Sequence, residues 1–288
     1  MDLSLLLQAI TSGLLSSGLY ALVAIGLALA IGVIGIVNFA HGEFFMIGAF
    51  LTYQLAVSLG FDPLLSILVV APLLFLLGAF LYRTTVHYVL GAPELNQMLL
   101  TFGLGIILQN LALLVWGGDP RTVPSIPYRS LSFNIGDVTV GAVMLGSFVI
   151  SMLLVLGLYW LLYRTPLGRG MRAVAQSRIG ASLVGLNVDR TYLVTFAVSA
   201  ALAGIGGVMI AVIQSPSPTV GLTFTLKAFA IVVLAGLGNI RGIIWASVLV
   251  ALADSLIANL VPNGDSLRNA VFFSIIFLVL ILRGRRPA

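Results

Sequence analysis

"GVIGIVNFAHGEFFMIGAF", residues 32–50, decides how this chain is to be read. Asn38, His41 and Glu43 stand close together inside a run that is otherwise apolar. In water such a cluster is an ordinary surface turn. In hydrocarbon each of these groups is costly unless it meets protein or a water-filled path. The solvent around the chain therefore fixes what the stretch means.

Composition identifies that solvent. Of 288 residues, 60% are hydrophobic and only 8% are charged, and the mean hydropathy is +1.16. A soluble domain carries roughly 25% charged residues, so this composition cannot coat a globule in water. It fits an all-α polytopic integral membrane protein, read as a single domain over 1–288. The opening "MDLSLLLQAI" has no basic n-region, and its apolar run outlasts a signal h-region; it reads as a retained first span.

Several function classes fall away. Cysteine is absent, which removes disulfides and thiolate metal sites. His41 and His87 alone make no zinc site, so no metal is expected. The positive charges fall between apolar runs, where they act as topology signals rather than as a nucleic-acid surface. Lys227, the only lysine, lies in "LTFTLKAFA" without the glycine-rich loop that cradles phosphates. No polar stretch is long enough for a nucleotide-binding domain. Any ATP that drives this chain is hydrolysed by another.

Nine spans are predicted, at about 5–34, 44–60, 63–82, 95–116, 139–163, 191–213, 225–240, 243–261 and 268–282, within a range of eight to ten. The first is long enough to tilt or break, and the seventh short enough to be re-entrant. Nine crossings put Arg83, Arg164, Arg169, Arg172, Arg178, Arg190, Arg241 and the C-terminal Arg283, Arg285 and Arg286 on the cytoplasmic side. The N-terminus falls outside, as does the 117–138 loop, whose Gly, Pro and Asp residues signal turns around a small hairpin. Two glycine-broken polar segments, Gly32–Gly42 and Gly236–Gly242, are candidates for related halves.

On one straight helix Asn38 and His41 share a face, while His41 and Glu43 point to nearly opposite sides. A break at Gly42 would let all three face one path; the alternative is a turn at the cytoplasmic interface with Glu43 solvated. In the fourth span Thr101, Gly105 and Gln109 recur every four residues and share a face, with Asn110 beside them. That stripe serves either helix–helix hydrogen bonding or a solute path. Asp254 lies well inside "IIWASVLVALADSLIANL", where a central carboxylate costs about 2.5–3.5 kcal/mol to insert. It needs a partner, with Lys227, Arg241 and Arg268 as candidates. Lys227 has the alternative of snorkelling to the outer interface.

Four stretches, in order, carry a resemblance. "GVIGIVNFAHGEFFMIGAF", "TFGLGIILQNLALLVWGGDPR", "GLNVDRTYLVTFAVSAALAGIGGVM" and "KAFAIVVLAGLGNIRG" closely resemble the LivH-type permease subunits of branched-chain amino acid ABC importers. The likeness covers nearly the whole chain and implies an ABC-importer permease fold in the bacterial cytoplasmic membrane, with alternating access and no enzymatic activity. It also implies partners: a second, similar permease in a heterodimer, two ATP-binding subunits holding ATP and Mg, and a periplasmic or extracellular substrate-binding protein docked near 117–138. The chain itself would bind no cofactor. The 165–190 segment would be the cytoplasmic coupling loop, with Arg172, Gln176, Arg178, Gly185, Leu186 and Asn187 as its contact residues. Here the chain departs from the family pattern, with Ile179, Gly180 and Ala181 where an acidic residue and alanines are expected. Asn38, His41, Glu43, Thr101, Gln109, Asn110 and Asp254 are the candidates for the translocation path. Two other readings stand beside this one: a permease for urea or short amides, and an ion-coupled secondary transporter working through Asp254 and Glu43.

Overall fold

Two helices that are apolar on every side occupy the centre of the structure, as all-round hydrophobicity requires. They are α1 (Leu3–Ile34) and α8 (Val188–Ile213). The computed structural model describes residues 3–123, 127–236, 238–261 and 274. The expected ninth span, Arg268 and the C-terminal arginines lie outside the described residues.

Around the central pair stand α2 (His41–Leu59), α3 (Ile67–Thr84), α4 (Glu94–Trp116), α5 (Ala142–Arg164), α9 (Val220–Ala235) and α10 (Ile240–Leu260). Among the described residues seven helices are long and apolar enough to cross a membrane; α9 is shorter. The outer helices turn large apolar side chains outward, among them Leu76 and Phe80 of α3, Ile107 and Leu114 of α4, and Leu156 and Trp160 of α5. That pattern suits a lipid-facing surface.

Antiparallel contacts fix which helix ends lie together. Ser255 of α10 donates to the Ala9 carbonyl, and Gly13 lies against Leu252. On the other side Gly204 of α8 meets Leu74 of α3, and Gly78 meets Ala200. At one end strands β1 (Ser132–Ile135) and β2 (Val138–Gly141) form a small hairpin where the 117–138 segment leads into α5. Gln8 bonds both the N–H and the carbonyl of Thr139, tying that hairpin to α1. Tyr128 donates to Asp62 Oδ1 at 3.0 Å. Burial, reinforced by that carboxylate, pushes the Tyr128 hydroxyl up to about 12, so it remains a donor at neutral pH.

At the opposite end α6 (Pro166–Gln176) and α7 (Arg178–Leu183) form a helical hairpin. Each helix start is capped by a side chain: Thr165 accepts from Gly168, Ser177 from Gly180, and Asn187 from Arg190 at the start of α8. Pro166 at the first helical position is pre-set for the turn.

The break between α1 and α2 is not at Gly42. The chain leaves the helix at Gly35, whose φ of 83° favours glycine, and re-enters it at His41. Gly42 is inside α2 because there it touches another helix. The expected pairing of Gly32–Gly42 with Gly236–Gly242 also changes. Gly236, Gly238 and Asn239 lie only in the turn between α9 and α10. The counterpart of the 35–40 break is the 214–219 linker between α8 and α9.

Candidate functional site

α2 begins half-way along its neighbours. The carbonyl of Val23, well inside α1, accepts from His41 Nε2 at 2.9 Å, which places the ring proton on Nε2. His41 Nδ1 lies 3.5 Å from Ser199 Oγ in the middle of α8. Gly105, the midpoint of α4, abuts Ala40 and Glu43. The 35–40 segment therefore turns back into the body of the protein before α2 starts.

α9 begins at the same depth and runs the other way. A Cβ placed on Gly42 would sit 1.9 Å from the Gly221 carbonyl oxygen. Gly42 N–H donates to Thr225 Oγ1 at 2.8 Å. Phe45 of α2 stacks on Phe224 of α9, with centroids 4.1 Å apart and planes 21° apart. Gly42 and Phe45 have the same spacing as Gly221 and Phe224, and each contacts its counterpart. That is how two copies of one motif meet across an approximate two-fold axis. Long-range packing repeats the exchange: α3, after α2, lies along α8, whereas α10, after α9, lies along α1. The chain thus consists of two interlocked, oppositely directed halves, an arrangement characteristic of membrane transporters.

Glu43 lies at this crossing, 4% exposed. Its Oε2 has no hydrogen-bond partner among the described residues, and the carboxylate lies against Gly221 in the first turn of α9. Two helix N-termini, each carrying roughly half a positive charge, converge there.

The polar stripe on α4 clasps both breaks. Thr101 Oγ1 accepts from Phe39 N–H at 3.2 Å and lies 3.1 Å from the Val37 carbonyl, holding the first linker. Two turns on, Gln109 Nε2 donates to the Pro218 carbonyl at 3.3 Å, holding the second. Asn38 Oδ1 accepts from Ala40 N–H and closes a local turn. Asn110 faces outward and bonds its own helix at Ile106.

Asp254 stands apart from that crossing. Lys227 Nζ donates to Asp254 Oδ2 at 3.0 Å and to Tyr20 Oη at 2.7 Å, and Tyr20 donates to Asp254 Oδ2 at 2.6 Å. Lys227 is 8% exposed and Asp254 5%, so the lysine pairs inside the protein rather than snorkelling. Sequence reasoning missed Tyr20 and Thr225. Lone hydroxyls in apolar runs carry no spacing signal, although the Gly-x-x-Phe spacing shared by Gly42 and Gly221 could have led to Thr225's surroundings.

The coupling-loop candidates divide among three places. Gly185, Leu186 and Asn187 line a groove of about 460 Å³ with Leu167, Met171 and Arg190. Gly185 has φ of 82°. Arg172 and Gln176 instead line a cavity of about 230 Å³ between α1, α5 and α10, with the Arg172 guanidinium 4.6 Å over the Tyr163 ring. Arg178 lies over Tyr192 at 6.0 Å. Ile179, Leu183 and Val184 are more than 70% exposed, so the tip of this hairpin is apolar.

These features define a multi-pass membrane protein whose two halves interlock through broken helices. The profile of the family described as branched-chain amino acid transport system / permease component matches residues 9–282, and the chain belongs to that family. It is 31% identical over 289 residues to the high-affinity branched-chain amino acid transport system permease protein BraD of Pseudomonas aeruginosa, covering 96% of this chain and 94% of that one. The corresponding permease protein LivH of Escherichia coli is 29% identical over 294 residues, covering 96% and 93%. The LivM permease protein of the same system in Escherichia coli is 30% identical over 270 residues, covering 83% of this chain and 61% of that one. No solved structure matches.

Proposed function

We propose that this chain is a permease subunit of a binding-protein-dependent ABC importer that carries branched-chain amino acids across the bacterial cytoplasmic membrane. The observation that carries the reading is the family match over 9–282, joined to two half-helices meeting at mid-depth. ATP and Mg are held by two separate ATPase subunits. A second permease, similar to LivM, completes a heterodimer, and a substrate-binding protein docks on the 117–138 face. The chain crosses the membrane nine times, with the N-terminus outside and the C-terminus in the cytoplasm.

The mechanism is alternating access. Closure of the ATPases pushes on α6 and α7, and the apolar tip formed by Ile179, Leu183 and Val184 gives that push a surface to grip. Thr165, Ser177 and Asn187 cap the helices on either side, so the hairpin moves as a stiff unit. The force reaches α5 and α8, to which the hairpin is joined end to end. Asn38, His41, Glu43, Thr101 and Gln109 act as the joint between the halves, keeping the crossing intact while the outer helices tilt. Irregular backbone at that depth is tolerated because it is buried in protein.

Growth tests this reading. A leucine-requiring strain stripped of its own leucine importers should grow on micromolar leucine when it carries this chain with its second permease, ATPases and binding protein. Removing this chain alone should abolish growth. Growth with this chain alone would favour an ion-coupled carrier, and uptake of urea without uptake of leucine would move the cargo to short amides.

A further inference from the structure

A cavity of about 440 Å³ opens beside the Lys227–Asp254 pair, between the outer halves of α1 and α5 and the start of α9. Its volume falls within the range of small-molecule sites, roughly 300–1,000 Å³. Tyr20, Ser147, Gln214, Thr223 and Lys227 supply its polar wall, and Leu19, Ile210 and Phe224 its apolar one. Ser147 is 2% exposed and its Oγ has no hydrogen-bond partner among the described residues. A buried helical serine ordinarily bonds back to the carbonyl one turn earlier; this one does not. One turn inward along α5, Ser151 is likewise buried with an unpaired hydroxyl.

We propose that this cavity binds the head group of a zwitterionic α-amino acid, with the carboxylate on Lys227 Nζ and Ser147 Oγ and the side chain on the apolar wall. The inference rests on the amino-acid importer reading and gives that reading a location. Charge selects the ligand. Lys227 is already matched by Asp254, so the pair is neutral overall, and a simple anion entering the cavity would bring an uncompensated charge into low dielectric. A zwitterion brings none. Tyr20 donates to Asp254 and accepts from Lys227, which fixes the ammonium in position before a ligand arrives. Sharing with Asp254 also keeps the grip on a carboxylate weak, as a site that must release its cargo requires.

Beside the cavity α1 and α5 are in close contact. A Cβ on Gly18 of α1 would lie 2.9 Å from the Phe148 ring of α5. Farther along α1 and α5 lies the cavity with Arg172, whose Nε is buried and has no hydrogen-bond partner among the described residues.

The test uses the assembled importer in nanodiscs. Because this chain has no cysteine, S147C places a single thiol on it, in the cavity. A hydrophilic maleimide should label that thiol, and L-leucine should protect it. 4-Methylpentanoate, which lacks the ammonium, and isoamylamine, which lacks the carboxylate, should each need a concentration at least about ten-fold higher, the loss expected for one charge-assisted hydrogen bond. In the same complex without S147C, K227M should raise the KM for leucine uptake by about ten-fold or more on the same basis. K227M/D254L, which removes both charges of the pair, carries the same expectation if K227M fails to assemble. An unreactive S147C, equal protection by 4-methylpentanoate, or a wild-type KM in the double variant overturns the site while leucine uptake by the wild type leaves the importer reading standing. If the wild-type complex takes up no amino acid, the importer reading fails and the inference fails with it.

Discussion

Gly42→Ala asks whether the crossing of α2 and α9 is as close as the coordinates place it. An added Cβ would lie 1.9 Å from the Gly221 carbonyl oxygen and 2.3 Å from Thr225 Oγ1. The first of these is backbone, so no rotamer change relieves it, and the helices must move apart by more than an ångström. Overpacking of this kind costs about 1–3 kcal/mol, and more when backbone must shift. The displacement also stretches the Gly42 N–H to Thr225 hydrogen bond, at about 1 kcal/mol. Against this, alanine gains about 1 kcal/mol over glycine in a helix. The clash wins, with a net loss of about 2–3 kcal/mol, a factor of 30 or more in the folding equilibrium. Thermal unfolding of the purified protein, followed by size-exclusion profile after heating, should place the Gly42→Ala midpoint clearly below wild type. Gly146→Ala, where a Cβ meets nothing within 4 Å, is the control and should be neutral or slightly stabilising. A Gly42→Ala protein as stable as Gly146→Ala would refute the close crossing.

Three further outcomes follow from the packing. K227M removes the buried ammonium that faces Asp254 and should cost about 3–5 kcal/mol, whereas K227M/D254L should return closer to wild-type stability in the same melting assay; equal losses in both would show that the pair is not coupled. His41→Ala removes a fully buried ring and its bond to Val23, with an expected loss of about 3 kcal/mol; an unchanged midpoint would argue against the mid-depth start of α2. L183E/V184E places two charges on the exposed apolar tip of the coupling hairpin and should weaken ATPase co-purification by about 30-fold or more, as loss of an interface anchor does, while membrane insertion stays normal; intact co-purification would remove the tip from the docking surface.

The class of protein was legible because composition alone decides it: a chain with 8% charged residues has no surface for water. The α4 stripe was legible as a face, since Thr101, Gly105 and Gln109 repeat at helical spacing, but its partners were not. Backbone carbonyls in two distant linkers leave no mark on a sequence. The position of the break was misread at Gly42 because a glycine looks the same whether it permits a turn or a close helix contact. Gly35 serves the first purpose and Gly42 the second. The second half was hidden for a related reason. Inverted halves share a fold but need only a few identical residues at their axis, and here a glycine and a phenylalanine suffice. Lys227 was legible as a candidate partner for Asp254, and the structure pairs the two; what singles it out from Arg241 is α9 and α10 running side by side, which hydropathy does not encode.

The most direct measurement is leucine uptake into proteoliposomes holding this chain alone or with its second permease, both ATPases and the binding protein. The account predicts uptake only by the complete set and only with ATP and Mg supplied on the ATPase side. Leucine accumulation by this chain alone, driven by a proton or sodium gradient, would contradict it.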